Sequence, residues 1–120
     1  MRMLREDGIA VTDADGAELF SVCETWDGET MTLKLKGRIP LRASHELEDE
    51  LTAAATVCDR LVLDFAEVES ISGTGLEALL KVQQLLDQRN DAQLCIRALT
   101  PCVRELFEDV GFVDLFEIED

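Results

Sequence analysis

The stretch LVLDFAEVESISGTGLEALL, from Leu61 to Leu80, constrains the fold more than any other part of the chain. A short apolar strand, Leu61–Phe65, runs into an acidic segment that reads as a loop. The loop ends at Ser72-Gly73-Thr74-Gly75, and an amphipathic helix opens at once. The start of a helix carries unpaired N–H donors and partial positive charge, so it favours an anion such as a phosphate. A plainer reading fits the same residues. Thr74 and Glu77 have the spacing of a capping box, in which Thr74 accepts from the Glu77 N–H and Glu77 reaches back to the Thr74 N–H.

The rest of the chain supplies strands and helices in alternation. Residues 1–17 are polar, with a turn signal at Asp13-Ala14-Asp15-Gly16, and read as an N-terminal extension to a single domain over 18–120. Glu18–Trp26 and Met31–Lys36 read as a hairpin around Asp27-Gly28. The second of these alternates Met31, Leu33 and Leu35 against Thr32, Lys34 and Lys36, the mark of one buried and one wet face. Gly37-Arg38-Ile39-Pro40 then breaks the strand. A helix follows with Ser44 as its N-cap and Leu47, Leu51 and Ala54 on its buried stripe. After the helix from Gly75 to about Gln88 come a polar turn at Arg89-Asn90-Asp91 and a strand, Gln93–Ala98. Thr100-Pro101 is a helix start; Val103, Leu106, Phe107 and Val110 form that helix's stripe, and Gly111 ends it. A last strand, Val113–Ile118, sets Val113, Leu115 and Glu117 against Asp114, Phe116 and Ile118.

The order β-β-α-β-α-β-α-β predicts an α/β fold: a mixed sheet of about five strands with about three helices, mainly on one face. A formal charge of −15 argues against nucleic acid and anionic lipid as partners and favours a basic protein. No apolar run approaches the ~20 residues that span a bilayer, and no signal peptide is evident, so a cytoplasmic protein is expected. Cys23, Cys58, Cys95 and Cys102 lack zinc-site spacing. Neither a metal nor a cofactor is expected.

In this order and spacing the chain resembles the STAS domain family. Three places carry the resemblance. They are Gly37-Arg38-Ile39-Pro40-Leu41, the strand Leu61–Phe65 with Ile71-Ser72-Gly73-Thr74-Gly75-Leu76, and Val103 through Leu106-Phe107, Gly111-Phe112 and Leu115-Phe116. The resemblance covers about Met31 to Ile118 and is strongest to the bacterial anti-sigma factor antagonists. It implies a non-enzymatic module that binds an anti-sigma serine kinase and is released when a serine at the start of the second helix is phosphorylated. Phosphate adds about −1.5 to −2 of charge, enough to disrupt an interface near other acids.

Two departures stand out. The family's phosphoacceptor falls on Gly73, and an acidic residue of the family's strand-end motif falls on Pro40. The docking surface implied is Arg38, Ile39 and Pro40, then Ser70, Ser72, Gly73, Thr74 and Gly75, with Glu77 and Lys81 of the second helix. Ser72 and Thr74 remain as phosphorylation candidates, Thr74 the less attractive because its capping hydroxyl is already engaged. Other STAS roles fit the same pattern: a regulatory subunit of a signalling scaffold or of a lipid-transport ATPase, or a nucleotide-binding STAS domain. Glu67, Glu69 and Glu77 oppose tight nucleotide binding. A catalytic set drawn from Ser72, Thr74, His45 and Asp64 has neither a nucleophile-elbow nor a P-loop pattern.

Overall fold

The computed structural model describes residues 2–5, 8–12, 18–89 and 92–119. The turn signal at 13–16, and Asn90 and Asp91 of the later turn, lie outside the described residues.

Among the described residues, seven strands form one sheet in sequence order, more than the five or so expected. β1 (Arg2–Arg5), β2 (Gly8–Thr12), β3 (Glu18–Asp27) and β4 (Thr30–Ile39) are antiparallel neighbours. β5 (Arg60–Ile71), β6 (Gln93–Arg97) and β7 (Glu117–Glu119) then add in parallel. The first two strands pair into the sheet from the segment that reads as a polar extension. α1 (Ser44–Ala55), α2 (Gly73–Asp87) and α3 (Pro101–Asp109) connect the parallel strands. Same-handed crossovers between consecutive parallel neighbours place all three helices on one face.

That face holds the core. Met31, Leu33 and Leu35 of β4 and Leu61, Leu63 and Phe65 of β5 meet Leu47 and Leu51 of α1, Leu76, Leu79 and Val82 of α2, and Phe107 of α3. The alternating residues on the other face are mostly polar, with Val62 and Cys95 as buried apolar exceptions. Lys34 pairs with Glu67 at 3.2 Å, Arg97 with Asp64 at 3.1 Å and Arg60 with Glu119 at 3.6 Å. This side of the sheet therefore presents charge where the helix side presents hydrocarbon.

The acidic segment after Phe65 is strand rather than loop. β5 pairs with β4 as far as Ile39↔Ile71, and the register shifts twice, between Lys34/Lys36 and between Gly37/Arg38. Each shift puts an extra residue into β5, so Phe65, Val68 and Ile71 all face the core at three-residue spacing. The bulges hide the period of two that would mark a strand. Gly37 does not break β4 either. It sits at φ +106°, and a Cβ there would lie 2.5 Å from the Leu19 carbonyl oxygen, so only glycine lets β3 approach.

The C-terminal segment also differs. A 3-10 turn at Phe112–Asp114 follows Gly111, which is left-handed at φ 76°, and β7 covers only Glu117–Glu119. Phe116 is buried and Leu115 is 48% exposed, and both lie before β7 rather than in a strand from Val113. Phe116 joins Phe65, Phe107 and Phe112 in an aromatic cluster with centroids 5.7–6.3 Å apart. Val110, expected inside, is exposed. Arg89 clips the end of α1 to the end of α2: it donates to the Ala55 and Cys58 carbonyls and pairs with Asp59.

Candidate functional site at the start of the second helix

The ends of β4 and β5 meet where α2 begins. The Ser72 N–H donates to the Ile39 carbonyl at 2.8 Å, which carries the sheet ladder to the first residue before the helix. Pro40 then turns β4 into a 3-10 turn, Leu41–Ala43, which packs against α2 and leads straight into α1.

Ser72, not Thr74, is the N-cap. Its backbone is extended, and its Oγ accepts from the Gly75 N–H at 3.0 Å. The Thr74–Glu77 capping box is not formed: Thr74 lies inside the first turn, and both residues are exposed. Ser44 is not a cap either. It is the first residue of α1, its side chain is buried, and its Oγ lies 3.1 Å from Ser72 Oγ and 3.4 Å from the Pro40 carbonyl. One set of proton positions satisfies every contact. Gly75 N–H donates to Ser72, Ser72 O–H to Ser44, and Ser44 O–H to Pro40. Such a chain polarises along its length and fixes the tip between three elements.

The two glycines of the turn differ. A Cβ on Gly75 would lie 2.7 Å from Ile71 Cγ1, so its missing side chain lets α2 sit down on β5. A Cβ on Gly73 would meet nothing within 4 Å. Gly73 is exposed and has ordinary backbone angles, so the fold does not require glycine there.

The other expected site residues divide by exposure. Arg38 is exposed and lies 3.8 Å from Glu69, a surface pair worth little. Ser70 and Glu77 are exposed, Pro40 is half-buried, and Lys81 pairs with Glu48 of α1 at 3.1 Å. Ile39 and Gly75 are buried and present no side chain to a partner, which corrects their inclusion in a contact surface. Leu41, by contrast, is 68% exposed beside the tip. Its sequence signal is a large apolar residue between a proline and a helix start.

Of the residues considered as a catalytic set, Asp64 and His45 make their contacts apart from the Ser72 cap. Asp64 lies on the helix-free face, where it bonds Arg97 and the Ala66 N–H. His45 is exposed and lies 3.4 Å from Asp49. Among the described residues, Cys95, Glu117 and Glu119 have ligand atoms within 4.8 Å of one another, also on the helix-free face. Arg60 already pairs with Glu119, and burial raises the Cys95 thiol above its usual range, with the two carboxylates adding to the shift. Burial likewise raises the Cys58 thiol. Among the described residues, no helix is long and apolar enough to cross a membrane.

The family model described as "Mlab, STAS domain" matches residues 22–117. The chain belongs to the STAS domain family. BtrV of Bordetella bronchiseptica, assigned by name to the anti-sigma factor antagonists, is 36% identical over 86 residues, which is 70% of this chain and 72% of BtrV. An anti-sigma factor antagonist from Mycobacterium paratuberculosis superposes with a TM-score of 0.77 at 19% identity, over 91% of this chain and 90% of that one. The Bacillus protein SpoIIAA in its phosphorylated form superposes at 0.63 and 16% identity, over 82% of this chain and 89% of that one. The chain is a STAS domain of the anti-sigma factor antagonist type, with the mixed sheet and three helices of its neighbours.

Proposed function

We propose that this STAS domain is a non-enzymatic docking module. It binds an anti-sigma serine kinase, or a related regulator, through the start of α2, and it lacks the serine on which the usual release depends. The observation that carries this reading is Gly73: an exposed first-turn position with open space for a side chain, occupied by a residue with no hydroxyl. Around it, Thr74, Glu77, Ser70, Arg38 and Leu41 offer an exposed mixed surface. Of the two remaining hydroxyls, Thr74 is the better acceptor. It is exposed, whereas Ser72 is half-buried and holds the cap. This reverses the order suggested by the capping-box pattern.

The test is titration calorimetry against a purified anti-sigma serine kinase of the source organism. Thr74→Asp and Leu41→Asp are expected to weaken binding about tenfold or more, by setting charge into an interface. Val57→Asp, an exposed change near the other end of α1, is expected to bind like wild type. Equal affinities for all four proteins contradict the reading. Incubation with kinase and ATP, followed by mass spectrometry, then asks whether Thr74 takes phosphate. A second reading, a permanently bound regulatory subunit of a scaffold or transport ATPase, is favoured by the same missing hydroxyl, since a constitutive contact needs no release.

A further inference from the structure

Beside the α2 tip, the end of β5 and α3 enclose an open groove of ≈270 Å³. Ile71, Val103 and half-buried Leu106 give it an apolar floor. Exposed Ser70, Cys102, Glu105 and Asp109 complete it. The groove is open, with room for one or two side chains of a protein.

The charges are poorly placed for the helix that carries them. Glu105 and Asp109 are four residues apart on α3, where like charges repel. Asp109 ends the helix, where the macrodipole disfavours an anion, and the last turn has no basic residue. Among the described residues neither acid makes an ion pair with a cation. An external cation across the two would relieve both conflicts. Exposed Val110, one turn beyond Leu106, adds apolar surface beside the groove.

We propose that the groove between β5 and α3 takes a basic, apolar segment of the protein partner, an aliphatic side chain resting on Ile71, Val103 and Leu106 and an arginine or lysine bridging Glu105 and Asp109. This rests on the docking reading above and supplies the partner's chemistry. Ser70 belongs to both surfaces, so one partner spans tip and groove. A second copy of this chain is a poor occupant, because it brings another formal charge of −15.

Three short labelled peptides serve as probes in fluorescence anisotropy with the full chain. One carries leucines and arginines at helical spacing, one has the arginines replaced by glutamate, and one has the leucines replaced by serine. The first is expected to bind, the others to bind about tenfold more weakly or worse. The double variant Glu105→Lys/Asp109→Lys is expected to weaken the first peptide about tenfold. Asp27→Lys/Glu29→Lys changes net charge equally on the exposed β3–β4 turn and is expected to leave it within about twofold. Val57→Asp, outside both tip and groove, is likewise expected to leave peptide binding unchanged; the peptides report on the groove alone, so failure at the groove is separable from failure at the tip. Equal weakening by the two double variants, equal binding of all three peptides, or a dimer in sedimentation that Glu105→Lys/Asp109→Lys dissolves would each overturn the proposal.

Discussion

The starts of α2 and α3 look alike in sequence and are built differently. Each has a hydroxyl residue at the N-cap, Ser72 and Thr100. The Ser72 hydroxyl caps its own helix and links through Ser44 to the strand end. Thr100 makes no side-chain cap. Its hydroxyl donates 3.2 Å across to the Val68 carbonyl, on the bulged part of β5. One start is stitched to itself and exposed beyond the cap; the other is stitched to the sheet. A capping residue in a sequence says that a helix begins, but the groups packed nearby decide where the hydroxyl goes. At α2 this leaves Gly73 and Thr74 exposed.

The largest test of that contrast sits inside α2. Gly75→Val is expected to cost about 1–3 kcal/mol in urea unfolding, because its side chain must displace Ile71. Gly73→Val is expected to stay within about 0.5 kcal/mol of wild type. Equal losses would mean that both glycines are structural. Next, Ser72→Ala is expected to cost about 0.5–2 kcal/mol, since it removes the cap and the partner of a buried hydroxyl. Thr100→Ala is expected to cost about 0.5–1.5 kcal/mol, the loss of one neutral bond.

A smaller effect concerns the approach to α3. Ala98 lies at φ 61°, the left-handed region, with its N–H donating to the Glu119 carbonyl at 2.9 Å. Ala98→Gly is expected to raise stability by up to about 1 kcal/mol, as relief of the Cβ clash exceeds the added freedom of the unfolded chain. The smallest effect is read with a thiol reagent near neutral pH. Exposed Cys102 is expected to react first, while Cys58 and Cys95, buried and with raised thiol pKa values, resist until the chain unfolds. The sign for stability follows. The folded protein holds these two protons more tightly, so their contribution is complete below the ordinary value of 9.0 and fades as pH rises above it.

Much of the helix-side architecture was legible from periodicity. Met31, Leu33 and Leu35 alternate, and Leu47, Leu51, Leu76, Leu79 and Phe107 fall on helical stripes; all are buried. The signal failed where geometry departs from a regular period. Two bulges disguise the second half of β5 as an acidic loop, and the turn after Gly111 resets the face on which Phe116 lies. At the site, the Ser-Gly-Thr-Gly turn located the helix start within two residues. It named Thr74 as the cap where Ser72 serves, and it could not show the contact from Ser72 to Ser44, 28 positions away. Nor did it tell a glycine that must be glycine from one that need not be. That distinction required knowing where Ile71 lies.

On the function proposed above, Gly73 occupies the place of a release switch on a tip that still docks. Wild type and Gly73→Ser, each bound to an anti-sigma serine kinase of the source organism, should be incubated with ATP, mapped for phosphate and weighed for complex remaining. The account predicts phosphate on residue 73 of the Gly73→Ser protein and dissociation of its complex, while the wild-type complex carries none at that position and persists. A Gly73→Ser protein that takes no phosphate there, or takes it and stays bound, contradicts the account.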